Sequence, residues 1–202
     1  MGMIDEFATV ARPGHAEMRV LASRFLADAV PADGKPEVDA HLQGIRRKFH
    51  DATHHCFAYR LGTDGKESRA SDAGEPGGTA GKPILAAIDR EGVTNVLVVV
   101  TRYFGGTKLG TGGLVRAYGE AATLALQEAG RKKQLITVPL SLSVEHPLVS
   151  HIMHTASRCG ARVADTRYDE VVHFRLEIRR SRLESFREEL IQATSGGVRF
   201  ED

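Results

Sequence analysis

The stretch Asn95-Val-Leu-Val-Val-Val-Thr-Arg-Tyr-Phe-Gly-Gly-Thr-Lys-Leu-Gly-Thr-Gly-Gly-Leu-Val-Arg116 decides how this chain is read. The apolar run at 96–100 fits a strand buried on both faces. Five glycines then fall within the nine residues 105–113. An apolar pattern follows over 114–129 and predicts a helix, which Gly130 ends. Strand, glycine loop and helix in that order make an α+β chain, with backbone N–H groups exposed where the helix starts.

Upstream, a second glycine-rich stretch reads Ser71-Asp-Ala-Gly-Glu-Pro-Gly-Gly-Thr-Ala-Gly-Lys-Pro83. Four glycines and two prolines in thirteen residues predict a loop, with a helix from Pro83 to the stop at Gly92. Further out, strands are predicted over 7–11, 24–30 and 53–61. Val38, Leu42, Ile45 and Phe49 form one apolar face of a helix that Pro36 opens. Asp64-Gly65 predicts a hairpin with a return strand over 67–70. Residues 131–134, Arg-Lys-Lys-Gln, read as a polar linker. Beyond it, the order strand (135–144), helix (147–159), strand (162–167), strand (171–179), helix (183–194), strand (198–200) is the ferredoxin-like βαββαβ pattern. Two domains are expected, 1–131 and 135–202, hinged at the linker.

The 202 residues carry 27 basic and 26 acidic side chains, for a net charge of +1, so bulk charge announces no polyanion and any anion site must be local. Between Gly92 and Gly119 there is no Asp or Glu, yet Arg102, Lys108 and Arg116 are present. Together with the N–H groups of Gly105, Gly106, Gly110, Gly112 and Gly113, and with Thr79 from the first loop, these cations predict a phosphate or nucleic-acid backbone site. Arg116 is expected in the first turn of its helix, where a cation makes sense if an anion completes the site. Asp72 and Glu75 are expected to accept backbone N–H bonds or to pair with Arg102 or Arg116. Neither loop completes a nucleotide fingerprint. Thr111-Gly112 stands where a P-loop needs Lys-Ser/Thr, and Val115 where a dinucleotide loop needs its third glycine.

No cofactor and no metal are expected. His54 and His55 are neighbours on a strand and point to opposite faces, so with His50, Asp51 and Cys56 they make no zinc site. His151 and His154 share a helix face without a third or fourth ligand. Two cysteines build no disulfide framework and fit a reducing cytoplasm. No apolar run approaches the ~20 residues that span a bilayer, so no membrane is expected. No nucleophile–histidine–acid constellation follows from spacing.

The two glycine loops, the strand His54-His-Cys-Phe-Ala-Tyr59 and the early Ser23-Arg-Phe25 resemble the signature of the IMPACT ("imprinted and ancient") family over about residues 10–130. The tail resembles the small C-terminal domain of its bacterial members. The resemblance implies a first domain built as a βα sandwich like those of a small-subunit ribosomal protein, RNase PH and domain IV of elongation factor G. It implies a second domain like domain V of that factor. It also implies a role in translation control, where eukaryotic members compete for an activator of the starvation-sensing kinase. The extra N-terminal interaction domain of those members is not expected here, so their specific partner is not expected to transfer.

The function expected is a non-enzymatic, translation-associated regulator that binds RNA or the ribosome through the cationic glycine loop, with a protein partner in translation control also in view. The alternative is an enzyme or binding protein for a phosphorylated small ligand, with Asp72 and Glu75 converging on one cleft. A third reading is a protein-interaction module with an exposed apolar patch. A deep closed pocket favours the enzyme, and an open cationic groove favours RNA.

Overall fold

A computed structural model describes residues 5–201. The elements run in the order β1 (Glu6–Val10), β2 (Gly14–Val20), β3 (Ser23–Pro31), α1 (Lys35–Lys48), β4 (His54–Leu61), β5 (Glu67–Ser71), α2 (Gly81–Glu91), β6 (Val96–Tyr103), α3 (Gly110–Ala129) and β7 (Arg131–Leu135). There follow β8 (Thr137–Val144), α4 (Val149–Cys159), β9 (Arg162–Tyr168), β10 (Val172–Arg179), α5 (Leu183–Ala193) and β11 (Arg199–Glu201). The chain divides into two compact units. One spans Phe7–Gln134; the other runs from Leu135 and includes Asp5 and Glu6.

The first unit is built on an antiparallel sheet in the order β2-β3-β6-β4-β5. β6 lies at its centre, and its run is buried on both faces for a simple reason. Val96, Val98 and Val100 pack against α2 and α3, while Leu97 and Val99 pack on the α1 side with Val38 and Leu42. The period of two does the sorting. α3 meets the sheet with Ala117, Ala121, Ala122, Ala125 and Ala129, small side chains that bring the helix close to the strands.

β2 has no counterpart among the predicted strands. Its exposed positions His15, Glu17 and Arg19 alternate with partly buried Ala16, Met18 and Val20. Residues 131–134, read as a linker, lie in β7, which pairs with β1. Every side chain of β7 is exposed, so no hydrophobic period marks it, and only the backbone partner reveals it as a strand.

The second unit carries an antiparallel sheet in the order β11-β8-β10-β9, with Ile152 and Ala156 of α4 and Phe186 and Leu190 of α5 packed on the Leu142, Phe174 and Leu176 face. Asp5 belongs to this unit: its carbonyl accepts from Ile136 N (2.7 Å) and its carboxylate from Ser181 N (2.8 Å).

Candidate functional site

The first glycine loop is organised by its own aspartate. Asp72 Oδ1 accepts the N–H groups of Ala80 (3.0 Å) and Gly81 (2.8 Å), and Oδ2 accepts that of Gly78 (2.8 Å). A carboxylate thus sits at the N-terminus of α2, where four N–H groups lack helical partners and the dipole favours negative charge. Burial works to raise this carboxyl, but the three N–H donors, with Lys82 nearby, outweigh it and hold Asp72 below the ordinary aspartate value. Thr79, expected among the anion ligands, is buried instead, and its hydroxyl donates to the Pro76 carbonyl (2.7 Å). Burial leaves that hydroxyl no route to an outside ligand.

Arg102 departs from the surface on which the sequence predicts it. It is 4% exposed and donates from Nη1 to Glu75 Oε1 (2.7 Å) and from Nη2 to Ser23 Oγ (3.0 Å). Its guanidinium lies over Phe25 (5.5 Å) and Phe104 (5.4 Å). The reason is the strand period: Arg102 continues the Val96, Val98, Val100 face that the helices cover. Tyr118 Oη donates to the same Glu75 oxygen (2.7 Å), and His54 Nε2 stands 3.9 Å from it while Nδ1 donates to the Ala73 carbonyl (3.0 Å). Burial, then the neighbouring Cys56 and Glu75, keep the Tyr118 proton well above the usual phenol range. Burial pushes the Cys56 thiol up to about 12, and that thiol donates to the Asp72 carbonyl (2.9 Å). This cluster ties the first glycine loop to the end of β6.

The second glycine loop is different. Residues 104–108 are all exposed, Phe104 included. Gly105 presses on the β2–β3 turn, where an added Cβ would stand 1.9 Å from the Ala22 carbonyl oxygen, so no side chain fits. Gly106 and Gly110 take φ of +86° and +71°, the left-handed region that glycine adopts without strain. α3 begins at Gly110, four residues before the predicted start, with Gly112 and Gly113 in its first turn. No side chain caps it at Leu109, and no acidic residue lies in that turn. Arg116 therefore sits in the second turn, not the first. Its side chain folds back, Nη1 reaching 3.7 Å from where a Gly112 Cβ would stand, as helical side chains lean toward the N-terminus. Lys108 and Arg116 are exposed. Arg116 also lines an open groove of about 770 Å³ between α2 and α3, with Arg90, Val115 and Leu124.

The structure thus folds Arg116 back toward Gly112 at the start of α3, leaves Lys108 exposed two residues before that helix, and places Arg102, Thr79, Asp72 and Glu75 in the scaffold. His54 and His55 lie on opposite faces of β4. Among the described residues no group of three or more His, Cys, Asp or Glu is placed to hold a metal ion, and no helix is long and apolar enough to cross a membrane.

These features have relatives. The Impact N-terminal domain model matches residues 21–126, more than half of the chain. The chain belongs to the IMPACT family. A domain of unknown function (DUF1949) matches residues 142–196, which makes this the two-domain, bacterial type of IMPACT protein. The IMPACT family member YigZ of Escherichia coli (strain K12) is 31% identical over 96% of this chain and 97% of its own length. YvyE of Bacillus subtilis (strain 168) is 30% identical over 96% of this chain and 89% of its own. A crystal structure described as that of an hypothetical protein superimposes with a TM-score of 0.76 at 30% identity, covering 98% of this chain and 97% of that one. Asp72, Glu75, Arg102, Lys108 and Arg116 all fall within the segment that matches the IMPACT domain.

Proposed function

We propose that this IMPACT protein is a non-enzymatic, translation-associated regulator that binds RNA or the ribosome through residues 104–113 and the first turn of α3. One contrast carries the reading. Two glycine loops each lead into a helix. At α2 the N-terminal N–H groups hold a carboxylate supplied by the chain, Asp72. At α3 no anion or side-chain cap is supplied among the described residues, the turn is open to solvent at Gly110, Thr111 and Gly112, and exposed Lys108 and Arg116 lie two residues before it and one turn after it. N–H groups, helix dipole and two cations together suit an external phosphate. Exposed Phe104 adds a ring on which a base can stack. An enzyme working on a small phosphorylated ligand needs Asp72 and Glu75 free, and both are engaged in the scaffold.

The test is equilibrium binding of the full chain to labelled RNA across a salt series. Lys108→Ala and Arg116→Ala weaken binding, and each flattens the slope of log affinity against log salt by roughly 0.7–0.9 for every phosphate the variant no longer neutralises. Melting temperature stays within a few degrees of the native value. Unchanged affinity and slope in both variants overturn the reading.

A further inference from the structure

The sheet of the second unit has one face covered by α4 and α5 and one face open. Leu140, Leu142, Val144, Phe174, Leu176 and Ile178 take the covered side. The alternate residues, with their cross-strand neighbours, take the other, and the register sets them in rows. Arg167 pairs across to His173, His173 to Ser143, and Ser143 to Arg199. One step along, Asp165 pairs with Arg175, Arg175 with Ser141, and Ser141 with Glu201. Next come Arg162, Glu177 and Pro139, then Arg179 beside Thr137.

Charge on this face is uneven. Glu177 is held by Arg162 (2.9 Å) and Glu201 by His173 (2.8 Å). Arg167 reaches Asp169 at 3.5 Å. Arg175 and Arg199 are exposed and make no ion pair among the described residues, and Asp165, beside Arg175 in the register, is not bonded to it. Two uncommitted guanidinium groups, Arg175 on the inner strand β10 and Arg199 on the edge strand β11, therefore stand on either side of β8, beside the part-exposed Ser141; Ser143 between them is buried and serves only as their spacer. Arginine forks and serine hydroxyls are the groups that hold phosphate oxygens. No Phe, Tyr or Trp stands at the alternate positions of this face among the described residues, so stacking of splayed single-stranded bases is not what it offers.

We infer that the open face of the β11-β8-β10-β9 sheet is a second RNA-binding surface, taking the phosphate backbone of a base-paired RNA through Arg175 and Arg199. The ligand class rests on the RNA reading of the glycine loop, while the surface and residues are independent of it.

The test uses the full chain with a fluorescently labelled RNA hairpin and four proteins: native, Arg175→Ala with Arg199→Ala, Lys108→Ala with Arg116→Ala, and all four changes combined. The sheet pair is expected to weaken binding and to flatten the salt slope by about 0.9 for each phosphate no longer neutralised, with circular dichroism and melting unchanged. Arg175→Lys with Arg199→Lys restores most of the slope, because a phosphate accepts either cation. If the sheet pair binds as the native chain does while the loop pair loses affinity, this inference is overturned and the loop reading stands. If the sheet pair loses affinity and the loop pair does not, the loop reading falls and this one stands. Binding of a polyglutamate peptide, but not the hairpin, through Arg175 and Arg199 overturns it in favour of an acidic protein partner. A native chain that binds neither probe overturns both.

Discussion

Glu75 and Arg102 meet at 2.7 Å with both side chains almost wholly out of water, and that pair joins the first glycine loop to the last residues of β6. Taking two charges out of solvent is costly, so the pair is weak evidence of net stabilisation. Removing one partner is a different matter, because the other is left buried and uncompensated. Glu75→Ala is expected to cost about 3–5 kcal/mol in urea unfolding, since Arg102 Nη1 and Tyr118 Oη both lose their acceptor. Glu75→Met with Arg102→Met should cost less than Glu75→Ala alone. A double variant as unstable as the sum of the singles would show that the two side chains act separately.

Asp72 gives the loop an acid limit. Its carboxyl titrates below 3.8 in the folded chain, so the folded state binds the proton less readily than the unfolded state does. Its contribution is complete above the unfolded value and is lost as pH falls through the folded one. Asp72→Asn should remove about 0.5–2 kcal/mol at neutral pH, the range for a helix-capping side chain. It should also flatten the stability profile below pH ~4 relative to native. Parallel native and variant profiles in that range would contradict this assignment.

Cys56 behaves in the opposite sense at alkaline pH. With its thiol held up to about 12 against an ordinary 9.0, the folded state keeps a proton that the unfolded state releases, so stability falls as pH rises above 9. The same burial makes it inert at pH 8, where the thiolate fraction is about a thousandfold below that of an ordinary cysteine. Cys159 is also raised, by burial and then by its bond to Glu189. A thiol-reactive dye should label neither cysteine in the native chain and both in urea. Fast native labelling at Cys56 would mean that the cluster around Glu75 opens in solution.

Much of this is legible in the residues. The apolar run 96–100 announces a strand covered on both sides, and the Val38–Leu42–Ile45 spacing announces α1. The site is only partly legible. The period of two along β6 already places Arg102 with Val98 and Val100, and the same period along β4 places His54 with Cys56 and Ala58. Composition draws attention to the charge of Arg102 and away from its face. Its partner Glu75 lies 27 residues away in a loop with no period: the charges offer Arg102 or Arg116 as the partner, and only the packing of β6 against the helices selects Arg102. The four glycine-rich residues that open α3 also hide its start, because glycine is a poor helix former and the helix is held there by packing further along.

The uncapped N-terminus of α3 allows a variant in which stability and binding move in opposite directions. Thr111 is exposed in the first turn of that helix, which carries no acidic residue. Thr111→Asp supplies there what Asp72 supplies at α2. A carboxylate in a first turn stabilises a helix by about 0.3–1 kcal/mol, and for a chain of this size that raises the melting temperature by about 1–4 °C. The same carboxylate occupies the N–H groups and repels a phosphate, so RNA affinity should fall and the salt slope should flatten by roughly the 0.7–0.9 that one phosphate supplies. Thr111→Asn separates charge from shape: it offers a neutral capping oxygen and should keep most of the binding. If residues 104–113 serve only to join β6 to α3, Thr111→Asp will stabilise the chain and leave RNA binding as it was. That outcome would remove the helix N-terminus from the proposed interface.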